Sequence, residues 1–390
     1  MTITTAAPTH VETIERLDEF EALAPEWDPM VRAMARPSPF LLHAWLAEWW
    51  RHCGQTPTVL VARADGQLAG ALPVVIRRRA ALRVASFMGG RTAVLPDLLV
   101  AESAADRTTE VAGALTAALA QTCDVADLHG VPAGSRIAAA LGPRLQLIER
   151  IEAPVLDLQA GWDAVYRAKT NSKKRNLHRR RRRQLSELGR LTVAVAREPD
   201  ELEPALEDAF RLHDLRWDGR PDGSGFTSGP GKAFQRAAMR RLAEADVPRI
   251  VSLHLDGRAI AFHYFFALEA TMYVHRLAFD PALARWSPGL VNTLDAIEAA
   301  AGEGLTRVEY LGGGERYKLE LSDGLEPLYH GFGLAAGLRG RGFATAHLTV
   351  IRTRLRLKQN PRLHHLYFEQ LAPVRRAADR TRAVSARSRR

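Results

Sequence analysis

Apolar and polar positions change their period several times along this chain, and the second half shows the changes most cleanly. The segment "GRLTVAVARE" (189–198) alternates as a half-buried strand does. It is followed by "DELEPALEDAFRLHDLRWDG", where Leu202, Ala205, Leu206, Ala209, Phe210 and Leu212 recur at helical spacing. A loop rich in Gly, Pro, Ser and Asp, "GRPDGSGFTSGPG", precedes a second helix predicted at about 231–245. Three strands then come in quick succession, "RIVSLHLDG", "RAIAFHYFFALEA" and "TMYVHRLAFDP", with Asp256-Gly257 as the tight turn between the first two, so a meander is expected. In "SPGLVNTLDAIEAAAGEG", Ser287 stands at a cap position and Pro288 at the first helical position; apolar residues fall at 290, 291, 294 and 297, and Gly302 and Gly304 close the helix. A strand "TRVEYLGG", a short helix "GERYKLELSD" and a last strand "LEPLYHGFG" complete this half.

The first half repeats the theme more faintly. Helices are expected at about 16–35, 43–53 and 107–120, with strands "TVLVARADG", "QLAGALPVVIRR", "LRVASFMGG" and "VADLHGV" and an Asp65-Gly66 turn. No obvious sequence repeat links the halves, yet the element order is similar enough to predict two copies of one fold. A chain of 390 residues also exceeds what one ordinary core supports. The expected division is residues 1–160, a basic linking helix at 161–188, a second domain at 189–335 and a basic helical extension at 336–390.

Charge changes this picture. The formal net charge is +10, and the excess is concentrated in "RAKTNSKKRNLHRRRRR" (167–183) and in the tail from Arg352 that ends "VRRAADRTRAVSARSRR". Such runs fit an anionic partner, whether phosphates, nucleic acid or an acidic membrane surface; a solvated basic helix face would look the same. Within the tail, "AHLTVIRTRLRLKQNPRLHHLYFEQL" is expected to pack on the protein rather than lie on an anionic membrane. Cys53 and Cys123 are far apart with no CxxC or Cys/His cluster, which points to buried thiols in a reducing compartment and to neither a disulfide framework nor a zinc site. No run reaches the roughly 18 apolar residues of a membrane helix, and the N-terminus has no leader pattern, so a cytoplasmic protein is expected, with peripheral contact to an anionic membrane left open.

One stretch invites a phosphate-loop reading: "LGGGERYK" (311–318). A Walker-type loop needs lysine directly after its last glycine, followed by Ser or Thr; here Lys318 stands four residues beyond Gly314 and precedes Leu319. The stretch fails that test.

The order β-α-α-β-β-β-α-β-α-β in the second half is that of the GNAT acyltransferases. The segments "RWDGRPDGSGF", "LAFDPALARWSPGL" and "GGGERYKLEL" resemble the branch of that superfamily containing the cellulose-biosynthesis CelD-like acetyltransferases, itself similar to the peptidoglycan Fem aminoacyltransferases. The resemblance covers about 165–335 and implies an α/β mixed-sheet GNAT fold, with two tandem GNAT-like domains if the first half is a degenerate copy. It further implies acetyl-CoA as co-substrate, direct transfer in a ternary complex, and no metal. The acyl thioester would lie where the central strand splays from its neighbour. The pyrophosphate would meet the helix start at Ser287, Pro288, Gly289 and Leu290, where free N–H groups and the helix dipole favour an anion and Gly289 permits close approach. The strict pyrophosphate loop of the superfamily is missing, and Arg285 stands in its place.

Acyl transfer needs a base, a donor to the oxyanion and an acid for the leaving thiolate. His254, His263 and His275 on the meander strands are base candidates, and His213 sits near the acceptor loop; strand alternation places Tyr273 and His275 on one face, Val274 and Arg276 on the other. Tyr317 resembles the superfamily's proton-donating tyrosine, with Tyr310 competing. Gly312 to Gly314 would mark the floor of the cleft, with Gly313 leaving room for substrate, Glu315 as base or acceptor contact and Lys318 beside an anionic group. Arg216, Trp217 and Asp218 fit acceptor recognition, and Arg179 a phosphate-bearing ligand. The expected function is N- or O-acetylation of a saccharide, a lipid-linked intermediate or an envelope precursor. A Fem-like aminoacyltransferase using aminoacyl-tRNA and a non-catalytic anion-binding scaffold are the alternatives.

Overall fold

The computed structural model describes residues 9–79, 81–90, 93–217, 226, 228–313, 315–334 and 337–359. Strands β1 (His10–Ile14), β2 (Thr58–Ala64), β3 (Gln67–Arg79), β4 (Leu82–Phe87), β5 (Leu99–Val100), β6 (Val125–Pro132) and β7 (Leu145–Ile151) all belong to one sheet. The next seven, β8 (Pro154–Asp157), β9 (Leu191–Ala196), β10 (Pro248–Leu255), β11 (Arg258–Leu268), β12 (Thr271–Phe279), β13 (Arg307–Glu309) and β14 (Gly324–Leu325), form a second. The last, β15 (Leu328–Gly333), returns to the first sheet, between β6 and β7.

The two sheets are built alike. In the first, β1 to β4 are antiparallel neighbours, the helix Thr108–Thr122 crosses over, and β6 lies parallel to β4. In the second, β9 to β12 repeat the antiparallel run, the helix Pro288–Gly302 crosses over, and β13 lies parallel to β12. Beyond its parallel strand each sheet takes an antiparallel strand from elsewhere in the chain: β15 beside β6, and β8 beside β13. The exchange is reciprocal. The expected last strand "LEPLYHGFG" therefore completes the first sheet, not the second.

One hydrophobic core runs across both halves. Trp27, Phe40, Trp45 and Leu46 from the N-terminal helices share it with Phe210, Phe234, Phe266 and Tyr273. The helix expected at 16–35 is two, Leu17–Glu21 and Ala24–Arg32, because Pro25 has no N–H with which to extend the first. Trp27 of the second anchors its turn by donating to the Leu41 carbonyl at 2.8 Å. On the opposite face of the second sheet, Ala296, Ile297 and Ala300 of the helix Pro288–Gly302 pack on Val251, Phe265, Met272 and Val274. The C-terminal helix Gly337–Gln359 seats Ala344 and Leu348 on the first sheet against Phe332, Leu82, Val84 and Val125; the tail from 360 onward lies outside the described residues.

The basic segment divides in two. Trp162–Lys169 is one helix and Ser172–Ser186 another, which Asn171 caps by accepting from the Lys174 N–H at 2.9 Å. Arg182 pairs with Asp295 at 2.5 Å and Lys174 with Glu320 at 3.2 Å, so part of the charge docks this helix on its neighbours. Arg179 and Arg180 are exposed.

Candidate active site

Parallel pairing between β12 and β13 lasts for three registers only, Thr271 with Arg307, Met272 with Val308 and Tyr273 with Glu309. Past Tyr273, β12 runs on to Phe279, while the other chain leaves after Glu309 and bonds to the β8 side, the Tyr310 N–H donating to Pro154 and the Gly313 N–H to Glu152. The two backbones part and leave a gap in the sheet.

A β-bulge lies at the mouth of this gap. Tyr264 stands opposite Arg276 but Phe265 opposite Val274, so His275 is the extra residue on β12. Simple alternation fails there: Arg276 does not face the Val274 side but turns to the side of His275, its guanidinium 5.9 Å from the Phe226 ring. His275 itself is buried among Phe40, Trp45, Phe226, Tyr264 and Phe266, with ring centroids 5.0 to 6.2 Å away. Burial, with a smaller push from Arg276, holds it neutral. His213 joins this side 5.1 Å from Phe226, its pKa pushed down to about 4 by burial and then by Arg276.

His263 faces the opposite core, buried, with both ring nitrogens lacking a partner among the described residues. Burial and then Lys318 push its pKa down to about 3. His254 lies two strands from β12, on β10. The four histidines thus do not converge.

The floor of the gap is more tightly organised. Lys318, nearly buried, donates to the Gly312 carbonyl at 2.7 Å and pairs with Glu315 at 2.9 Å. Gly313 has φ +108°, and a Cβ there would collide with the Glu315 carboxylate, so its glycine serves the backbone path. Tyr310 spends its hydroxyl on the Leu321 carbonyl at 3.2 Å. Tyr317 makes no such bond among the described residues; burial raises its pKa, as does Glu315, while Arg216 opposes them. Arg216 lies over Phe279 at 4.9 Å. The Trp217 backbone ends the helix Pro199–Trp217; Asp218 and Gly314 lie outside the described residues.

At the far end, Ser287 is left-handed (φ 56°, ψ 49°) and its side chain does not cap the helix. Its carbonyl takes the Leu290 and Val291 N–H groups, Pro288 has none, and the Gly289 N–H is left without a partner among the described residues. A Cβ on Gly289 would stand 2.7 Å from Phe279 Cδ1, so this glycine is required where the helix meets β12, whatever it does for a ligand. Arg285 is stacked on Trp286 at 3.7 Å beside it.

A splayed parallel pair and a helix start with a spare N–H are the features that the resemblance to acyltransferases implies. Residues 172–319 match the family model of the acetyltransferase (GNAT) domain. The stretch 172–319 is thus similar to a GNAT acetyltransferase domain, and the mixed-sheet α/β fold is that of GNAT proteins. No curated protein sequence matches the chain. Among solved structures, FemX is similar over 83% of this chain and 97% of its own, at 11% identity and TM-score 0.55. The C-terminal domain of a protein from Agrobacterium fabrum described as a lysylphosphatidylglycerol synthetase is similar over 85% and 97%, at 14% identity and TM-score 0.53. A conserved protein of unknown function from Bacteroides thetaiotaomicron is similar over 83% and 100%, at 14% identity and TM-score 0.52. At such identities the likeness is one of fold.

Sequence reasoning missed one cluster, in the first sheet. Asp127 and His129 on β6 meet His330 on β15, with His330 Nε2 2.6 Å and His129 Nε2 3.3 Å from Asp127 Oδ1. The two imidazoles stack at 3.8 Å and 17°, so an ion in the plane of one ring lies outside that of the other. The histidines stand more than 200 residues apart, and only the return of β15 unites them. No helix among the described residues is long and apolar enough to cross a membrane.

Proposed function

We propose that the protein is an acyl-CoA-dependent acetyltransferase, with acetyl-CoA as donor and an amine or hydroxyl of a saccharide, lipid-linked or envelope precursor as acceptor. The observation that carries this reading is the unzipping of β12 from β13 beside the free Gly289 N–H. The gap admits a thioester edge-on to β12. Gly289 N–H and Arg285 would take the pyrophosphate, a guanidinium standing where the superfamily uses further backbone amides. Exposed Arg179 and Arg180 add positive charge on the preceding helix.

The acceptor nitrogen or oxygen attacks the thioester carbon, the C–S bond breaks, and the thiolate takes a proton. Tyr317 is the acid in this scheme, because its raised pKa keeps the phenol protonated and its hydroxyl is uncommitted, whereas that of Tyr310 is already bonded. Glu315, whose charge acts on Tyr317, accepts the acceptor's proton, and Lys318 holds it in place. The aromatic surroundings of His275 fit a packing role. We further place the protein in the CelD-like branch, on the motifs "LAFDPALARWSPGL" and "GGGERYKLEL".

Melting-point shifts with acetyl-CoA, longer acyl-CoAs and bulk tRNA test the donor, since a specific ligand stabilises by mass action. Stabilisation by acetyl-CoA, with thiol release on addition of an acceptor amine, supports the proposal. Stabilisation by tRNA alone, falling steeply with salt, would favour the aminoacyl-tRNA alternative. Tyr317→Phe is expected to lower kcat by about 10²- to 10⁴-fold with donor affinity kept.

A further inference from the structure

Two guanidinium groups drawn into this fold are neutralised by acids. Arg249, 3% exposed at its side chain, pairs with Asp246 and Glu303, both at 2.9 Å or closer. Arg36 grips Glu309 at 2.7 Å. The half-buried Arg136 has an enclosed, unpartnered Nη1 and no acid within pairing distance among the described residues, and Arg276, also half-buried, is a second such group. Its one hydrogen bond among the described residues runs from Nη1 to the adjacent His275 carbonyl at 2.9 Å. Its Nε is shut off from solvent with no partner among them, and no described carboxylate pairs with it. A guanidinium partly withdrawn from water without an acid is a place where a ligand can supply the missing charge.

Geometry says which ligand. The bulge at His275 aims Arg276 at the face carrying Phe226 and His213, under the helix Pro199–Trp217. The helix that begins with the spare Gly289 N–H packs its Ala296, Ile297 and Ala300 on the other face of the same sheet. An anion belonging to the acyl donor would sit on that far side. Arg216 lies over Phe279, the ring on which Gly289 packs, and so belongs to the donor side of the gap; the acid of the gap floor, Glu315, is already engaged by Lys318.

We infer that the acceptor carries an oxyanionic group, a carboxylate or a phosphate, that pairs with Arg276 when the acceptor enters on the Phe226 side of β12. The assignment rests on the acetyltransferase reading and gives the substrate class of its acceptor site. Burial of the free guanidinium lowers its pKa, as an unpaired site requires.

The test uses the full-length protein with saturating acetyl-CoA and three matched amino sugars: glucosamine, glucosamine 6-phosphate and muramic acid. The wild type should bind one or both anionic sugars at least tenfold more tightly than glucosamine, with the phosphate and carboxylate arms telling the two groups apart. Arg276→Gln should abolish that preference while acetyl-CoA affinity stays unchanged. In the ligand-free protein Arg276→Met should keep or raise the melting temperature, because it removes an uncompensated charge; a lowered melting temperature would make Arg276 a structural residue and overturn the inference. Equal binding of all three sugars to the wild type, or an anion preference that survives Arg276→Gln, would overturn it too. A protein that ignores acetyl-CoA altogether but keeps an Arg276-dependent anion preference would sink the acetyltransferase reading and leave the anion site standing.

Discussion

Gly289 offers a sharp test of how the helix Pro288–Gly302 meets β12. A methyl group there would stand 2.7 Å from Phe279 Cδ1 and 3.4 Å from Cε1, against the roughly 3.5–4.0 Å of a relaxed carbon contact. The ring or the helix end must therefore move, and the ring is held under Arg216 at 4.9 Å. Overpacking of this kind costs about 1–3 kcal/mol, and replacing glycine in a helix returns at most about 1 kcal/mol. Gly289→Ala should then lose about 1–2 kcal/mol net. Phe279→Leu makes room, so the double variant should be more stable than the sum of the singles predicts, by about 1 kcal/mol or more. Urea unfolding midpoints and acetyl-CoA titrations on the four proteins measure both quantities. If Gly289→Ala unfolds with the parent, or if its loss is undiminished when Phe279→Leu is added, the packing argument is wrong. A variant that keeps its stability but loses donor affinity in both backgrounds would show instead that the glycine exists for the phosphate alone.

Further outcomes are expected. Glu309 is fully buried and accepts two bonds from Arg36, at 2.8 and 2.7 Å, and two from Arg307, at 3.1 and 3.0 Å; Glu309→Ala should cost about 3–5 kcal/mol by denaturant titration. Arg36→Met should cost less, since Arg307 still balances the acid, and equal losses would count against this account. His43, His213, His263 and His275 all have lowered pKa values, with burial the first cause. Unfolding frees them to bind protons below their ordinary 6.5, so the stability held above that pH should drain away as pH falls toward 4, and a flat melting profile over that interval would contradict it. Arg179→Gln/Arg180→Gln should weaken acetyl-CoA binding and flatten its salt dependence without moving the melting point, whereas Arg182→Gln, which strands Asp295, should lower it.

Local pattern made much of this molecule readable. Pro288 and Gly302 bound the central helix as their chemistry requires, and the Asp256-Gly257 turn joins β10 to β11 with both residues at positive φ. What stayed hidden was long-range or irregular. "APVLD" has the same alternation whichever sheet it joins, so nothing local assigns β8 to the second sheet, or β15 to the first. The bulge at His275 cannot be seen in a period-two pattern, and it is why Arg276 emerged as a feature of the cleft only in three dimensions. The glycines of 312–313 were read as leaving room for substrate, whereas Gly313 serves the backbone path past Glu315, and the hold of Lys318 on Gly312 and Glu315 depends on a helical turn that brings position 318 back over 312.

The traded strands also set a timetable for synthesis. The first sheet cannot join β6 to β7 until β15, nearly two hundred residues downstream, has left the ribosome. Until then both strands offer unpaired backbone to any neighbour, at the stage when a nascent chain is most prone to wrong pairings. The N-terminal half must therefore wait as an unfinished sheet, and a chain truncated before Leu328 should be captured by chaperones or aggregate even though every residue of its own helices is present.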